Sequence, residues 1–280
     1  MDVGLHLPHM GPFAAGPALV HLALVAEDLG YHSVWFSDHV VVPVAFEPRY
    51  PYDPAGRFPV NHEFPWVEAQ TAMSFVAGAT SRIRIGSTVL IVPYRHPVVL
   101  GAQVAALQFL SGGRLILGVG AGWMKEEFDI VGVPHEERGP RLDEALDVIR
   151  VMCTTSPAEF HGSFVDLPPS GTLPLPDRPP EIWVGGNTPV ALRRAARHDG
   201  WHGFQVSPDE VRDARHRLPD RVRVSVRTRL DPDDVAHSAA HVDALREAGA
   251  DHVVLDVWAD LETTEATWRR FAADHLPALA

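Results

Sequence analysis

The stretch SVWFSDHVVVP, Ser33–Pro43, decides how the chain folds. It opens on apolar residues suited to a strand covered on both faces, and where the strand stops it sets an acid, Asp38, beside an imidazole, His39. The same unit recurs on either side. Upstream, a strand over Val3 to Leu7 leads to a helix from about Pro17, where proline suits the first turn. Leu19, Leu22, Ala23, Ala26 and Leu29 keep its helical spacing, and Gly30 ends it. Downstream, RIRIGSTVLIV gives a third strand over about Arg82 to Val92, with a helix after Pro97, and RLILGVG gives a fourth over Arg114 to Gly120. A charged helix over about Gly139 to Met152 turns Leu142, Ala145, Leu146 and Ile149 inward. EIWVGG, GWHGF, RVRVSVRTRL and HVVLDVW supply the last four strands, and a helix near Thr263 to His275 closes the chain.

Eight strand-and-helix units predict an α/β fold, a (β/α)8 TIM barrel, formed as one domain over residues 1–280. An open doubly wound sheet would call for G-x-G-x-x-G after the first strand, and LHLPHMGPF does not supply it. Gly118, Gly120 and Gly122 lie mid-chain with the wrong spacing. Two segments exceed ordinary loop length: Val40 to Pro65, inserted after strand two, and Thr154 to Pro180, inserted before strand five with a hairpin in AEFHGSFVDL. Either reads as a lid or as a plain surface excursion.

Lys and Arg number 24 against 36 Asp and Glu, a formal charge of −12, which disfavours nucleic acid and anionic membrane as partners. The one cysteine, Cys153, cannot form an internal disulfide, and the first residues lack a basic region followed by an apolar one, so the expected location is the cytoplasm. Apolar runs are broken well short of a membrane span. Of sixteen histidines, His237 and His241 have helical spacing but no partner set, and H-E-x-x-H is missing, so no metal is expected. G-x-S-x-G and the P-loop are also missing, which lowers hydrolase and phosphoryl-transfer readings.

In a barrel, residues following a strand face the mouth where active sites are built. Asp38 and His39 therefore read as a proton-handling pair at the rim, or, more plainly, as a turn cap and a packing residue. Gly185, Gly186, Asn187, Thr188 and Pro189 read as a strand end and a capped helix start, which either holds an anion or is an ordinary connection. Gly86, Ser87 and Thr88 within strand three suggest a bulge or the close approach of a flat ligand.

The segments AEDLGYHSVWFSDHVVVP, RIRIGSTVLIVPYRHPVVLGAQVAALQFLSGGRLILGVGAGWMKEEF and WVGGNTPVALRRAARHDGWHGF together resemble the luciferase-like monooxygenase superfamily, and most closely its branch using the deazaflavin coenzyme F420. The likeness is strong from Val3 to about Phe204. It implies a barrel whose mouth carries the deazaflavin, with Asp38 and His39 as the polar pair near the ring and Thr88 and Val89 as a bulge, often a cis peptide, beneath it. Ser87 and Gly120 join that cofactor set, and Gly185, Gly186, Asn187 and Thr188 match the segment meeting the phosphate-bearing tail. Sugar-phosphate dehydrogenases of the branch carry a glutamate where this chain has Trp123, and their cationic contacts have no match. The resemblance thus implies a less polar small-molecule substrate in a pocket with Trp123, Tyr94 and Trp258, Trp123 either stacking on the substrate or serving as a wall without contact, with His39 transferring the proton and Asp38 orienting it or touching the ring. The implied activity is hydride transfer between F420 and a small organic molecule, as C=C or C=N reduction or alcohol oxidation, and the common assembly is a homodimer. Two alternatives stand beside it: an FMN-dependent monooxygenase, and a cofactor-binding relative without catalysis.

Overall fold

The protein is described by a computed structural model over residues 1–12, 14–47 and 49–279. In chain order the elements are β1 Asp2–His6, α1 Gly16–Asp28, β2 Ser33–Phe36, α2 Ala69–Ala79, β3 Arg84–Ser87, β4 Leu90–Ile91, α3 Pro97–Leu110 and β5 Leu115–Gly120. There follow α4 Lys125–Val131, α5 Arg138–Thr154, β6 Ala158–His161, β7 Asp166–Ser170, β8 Glu181–Gly185, α6 Pro189–Ala195, β9 Gly200–Phe204 and α7 Pro208–Arg217. The chain ends with β10 Arg223–Arg229, α8 Val235–Glu247, β11 His252–Asp256 and α9 Leu261–Leu279.

The strands pair in parallel in the order β3-β2-β1-β11-β10-β9-β8-β5, and a further β3 to β5 pairing closes the ring. The third strand is split: β3 stops at Ser87, Thr88–Val89 is a cis peptide, and β4 resumes the pairing with β5 through Leu90 and Val119. Counted as one, the halves make an eight-stranded (β/α)8 barrel, as the repeating units predict. Both faces of the barrel strands are covered, so even polar strand residues are enclosed; all four residues of β2, Ser33 included, are buried.

Aromatic side chains fill the barrel interior. Trp35 and Trp183 are both fully buried with ring centroids 5.5 Å apart. Gly4 and Gly86 on the neighbouring strands make room for Trp35, since a Cβ on either would come within 2.5 Å of its indole. No helix among the described residues is long and apolar enough to cross a membrane.

The two insertions part company. Residues 37–68 leave the C-terminal end of β2 and belong to the mouth. The β6–β7 hairpin does form, but its connection precedes β8 and Val165 and Leu167 pack on Val148 and Met152 of α5. Glu144 fixes it further by accepting backbone N–H bonds from Ser163, Phe164 and Val165 at 2.8, 2.7 and 2.6 Å. The lid reading for Thr154 to Pro180 is corrected accordingly: its apolar face is spent on the outside of a helix.

Candidate active site

His39 follows β2 and is 8% exposed. Its Nδ1 donates to Glu127 Oε2 at 2.7 Å. The other oxygen of Glu127 accepts from the backbone N–H groups of Val40 and Val41 at 2.6 and 3.2 Å. Glu127 has no exposed surface, so a buried carboxyl group accepting three N–H bonds sits behind the imidazole. With Nδ1 held as the donor, neutral His39 presents Nε2 as an acceptor, and Nε2 forms no hydrogen bond among the described residues.

The acid beside His39 in sequence has a different task. Asp38 Oδ2 accepts from Ile91 N at 2.8 Å and Arg95 Nη1 at 2.7 Å, and Oδ1 accepts from Arg95 Nη2 at 2.9 Å. Arg95 also reaches Glu68 at 2.7 Å. The expectation that Asp38 orients His39 is corrected: Glu127 does so, and Asp38 ties the loop after β2 to the end of β4. Asp38→Ala is expected to lower the unfolding free energy by about 2 kcal/mol, read by urea denaturation, because a mostly buried guanidinium loses its bidentate partner.

Above His39 lies a collar of rings. Phe58 and Trp66 stand 5.0 and 5.1 Å from the imidazole, and Trp123 stands 6.3 Å away. Tyr50 packs on Phe58 at 5.2 Å and on Trp123 at 5.3 Å, while Tyr52 packs on Phe204 at 4.8 Å. Trp123 follows β5 and Phe204 ends β9, so the segment after β2 is strapped across the mouth by aromatic contacts. Its first stretch is pinned to the start of α4, where Glu126 accepts from Glu47 N at 2.9 Å and Glu127 from Val40 and Val41. Burial pushes the Tyr50 phenol up to about 12, which keeps it a neutral donor.

Below the mouth, Arg227 donates through Nε to Asp256 Oδ2 at 3.1 Å and through Nη1 to Ser37 Oγ at 2.8 Å. His6 stands between, with Nε2 3.0 Å from Ser37 Oγ and Nδ1 3.3 Å from Asp256. Burial, then the Arg227 charge, push His6 down to about 4. Burial alone would raise the Asp256 carboxyl, but Arg227 and His6 outweigh it and hold it well below the usual carboxylate range.

The remaining residues singled out from the sequence divide by geometry. Thr88 and Val89 stand where β3 breaks, as expected. Gly120 and Gly185 are spaces for Val89, whose methyl groups would lie 2.6 and 2.5 Å from a Cβ added at either. Ser87 is fully buried and donates to the Gly118 carbonyl at 2.8 Å, so it has no surface for a ligand. Gly186 needs glycine at φ +117°. Asn187 spends its amide on both backbone groups of Phe204, at 2.8 and 3.0 Å, and Thr188 caps α6 through Ala191 N at 3.2 Å. Tyr94 is corrected from a pocket residue to a supporting one: it is buried against Phe128 at 4.7 Å, and burial, then the Glu127 charge, hold its phenol far above the normal range. Trp258 is 44% exposed beyond the end of β11, at the mouth. Among the described residues no cluster of three or more His, Cys, Asp or Glu has the placement of a metal site.

Sequence reasoning missed Glu127, Arg227, Asp256 and the ring-bearing positions of the strap. The available signal was helical phase, which places Glu127 next to buried Phe128 while Glu126 stays half-exposed.

A flat heterocycle with an anionic tail fits these residues. Val89 is sunk into the space that Gly120 and Gly185 leave, so the bulge offers the mouth a low apolar surface. Trp66 Nε1, beside the His39 ring, is a buried donor with no hydrogen-bond partner among the described residues. The Asn187 and Thr188 side chains are committed locally and Gly186 N donates to the His202 carbonyl at 3.2 Å, which leaves the Asn187 and Thr188 backbone N–H groups to meet a tail.

A closed barrel with a polar site at its C-terminal mouth defines a broad class of enzymes, and comparison narrows it. The sequence profile of the luciferase-like monooxygenase family matches residues 5–278, and the chain belongs to that family. It is 38% identical over 196 residues to an uncharacterized protein of Mycobacterium tuberculosis, covering 69% of this chain and 67% of that one. It is 32% identical over 186 residues to an F420-dependent glucose-6-phosphate dehydrogenase of Amycolatopsis mediterranei, covering 64% of this chain and only 50% of that enzyme. Its fold is that of an F420-dependent secondary alcohol dehydrogenase solved with an F420-acetone adduct, at a TM-score of 0.78 and 17% identity over 100% of this chain and 99% of that one.

Proposed function

We propose that the protein is an F420-dependent oxidoreductase acting on a small, weakly polar substrate, with His39 as its proton-transferring residue. The observation that carries this reading is the His39–Glu127 pair, whose second imidazole nitrogen is unengaged beneath the aromatic strap. A relative named for F420 dependence supports the cofactor. When bound, the deazaflavin would supply hydride donation or acceptance at a ring carbon.

The chain's own residues account for the rest. Val89, seated by Gly120 and Gly185, would support the ring, and the backbone from Gly185 to Thr188 would meet the tail. Trp123, Tyr50 and Phe58 would exclude water and orient an apolar substrate. His39 Nε2 would take the proton of an alcohol undergoing oxidation, or return one during C=C or C=N reduction, with Glu127 stabilising the imidazolium. Hexose phosphate is disfavoured as substrate, because Arg95 and Arg227 are already paired with Asp38, Glu68 and Asp256.

The test is to titrate the chain with F420 and with FMN, then to follow F420 oxidation state against a panel of small alcohols, ketones and activated alkenes with and without oxygen. Saturable F420 binding and oxygen-independent turnover are expected. Preference for FMN with oxygen consumption would replace this reading by a monooxygenase, and tight F420 binding without turnover by a catalytically inactive relative.

A further inference from the structure

Seven polar side chains, five on strands and two, Thr88 and His32, just outside them, follow one another down the inside of the barrel. Thr88 Oγ1 lies 2.8 Å from His202 Nε2, and His202 Nδ1 lies 2.9 Å from Ser225 Oγ. Ser225 Oγ lies 2.9 Å from His252 Nδ1, and His252 Nε2 lies 3.0 Å from Ser33 Oγ. Ser33 Oγ lies 3.1 Å from His32 Nδ1, and His32 Nε2 faces Asp2 Oδ2 at 3.5 Å. Thr88 stands where β3 ends, whereas Ser33 and Asp2 open β2 and β1, so the line descends from the mouth to the opposite rim.

The charge at the lower end sets a preferred direction. Asp2, paired with Arg223 at 2.6 Å, only accepts, and its charge 3.5 Å from His32 Nε2 favours the tautomer with the proton on Nε2, which leaves Nδ1 to accept from Ser33. Trp35 Nε1 can only donate, and it donates to the same Ser33 oxygen at 2.8 Å. Ser33 then has one lone pair left and no second proton, so His252 must donate to it through Nε2. His252 Nδ1 accepts from Ser225, Ser225 accepts from His202 Nδ1, and His202 Nε2 accepts from Thr88. In the reverse direction His32 Nε2 would turn a lone pair on a carboxylate.

We propose that this is a one-way hydrogen-bond chain that commits the Thr88 hydroxyl to donate into the barrel, making Thr88 an acceptor-only recognition group for an N–H or O–H of a ligand at the mouth. Thr88 keeps 9% of its surface, and its hydroxyl is engaged with His202 below. Burial pushes His202 down to about 3 and His32 down to about 4, and holds His252 well below its usual value, so the rings are neutral as the chain requires. Trp35 stacks on His202 at 5.2 Å with an interplanar angle of 3°, which holds that ring in the plane of the chain.

The directional claim is independent of the cofactor, and the acceptor claim rests on the F420 reading. Long-range nitrogen–proton NMR of the full chain tests the first: His202 is expected as the Nδ1–H tautomer and His252 and His32 as Nε2–H tautomers. The opposite tautomers at His202 and His252 would overturn the chain. Ser225→Ala should leave the His252 tautomer in place and release His202 into a mixture; an unchanged His202 signal would also count against the chain. For the second claim, Thr88→Val should weaken F420 binding by about tenfold, the loss of one hydrogen bond, with Thr88→Ser near the parent. Equal affinity of the parent and Thr88→Val overturns the acceptor role. Failure of the parent to bind F420 overturns the cofactor reading instead, and the NMR result still decides the chain.

Discussion

His39→Ala is expected to lower turnover by about 10²- to 10⁴-fold, the usual contribution of a positioned acid–base group, with little change in F420 affinity. The imidazole contacts rings and Glu127 rather than the glycine segment assigned to the tail, so its removal should spare cofactor binding. Steady-state kinetics and a fluorescence titration on the same preparation separate the two effects. Comparable turnover in the variant would remove His39 from the mechanism.

Glu127→Gln sharpens that result. Both Val40 and Val41 donate to Oε1, so a glutamine keeps its oxygen there and turns its NH₂ toward His39 Nδ1. The imidazole then accepts at Nδ1 and carries its proton on Nε2, the inverse of the arrangement that lets Nε2 take a proton. Turnover should fall about 10- to 100-fold and its pH profile should change shape. A merely structural Glu127 would alter stability and leave the profile intact.

The barrel was legible because the strands are short, most of them rich in apolar residues, and alternate with helical stretches, and none of this depends on distant partners. His39 was legible for the same reason, since a residue just past β2 must lie at the mouth. Pairing it with Asp38 was an error of geometry: neighbours leaving a strand point to opposite sides, so adjacency in sequence argues against contact. Glu127 lies 88 residues away from His39 in a run of acids, and nothing in that run marks which one turns inward except the phase set by Phe128. The interior chain was illegible in principle, because Ser33, Ser225, His202 and His252 become neighbours only when the ring closes.

Closure of that ring also sets a strong acid sensitivity. Burial pushes His6 down to about 4 and His202 down to about 3, and each is fully enclosed. In the unfolded chain both return to about 6.5. Between these values the unfolded state binds more protons, so the stabilising contribution is complete above pH 6.5 and is lost as the pH falls toward 4. For the two histidines together the loss between pH 7 and pH 5 is about 4 kcal/mol, a large share of the 5–15 kcal/mol that holds a typical domain. Asp256 works in the same direction, but its carboxyl is held so low that its contribution survives until far more acidic conditions. His32, His198 and His252 are also shifted down, chiefly by burial, and add to the slope in the same window. Urea midpoints should therefore fall steeply from pH 7 to pH 5, and unfolding at pH 5.5, followed by calorimetry in buffers of different ionisation enthalpy, should take up about three to five protons. A flat midpoint over that range, or uptake of less than one proton, would mean that these rings are charged or hydrated in the folded barrel, and the neutral interior chain would fall with them.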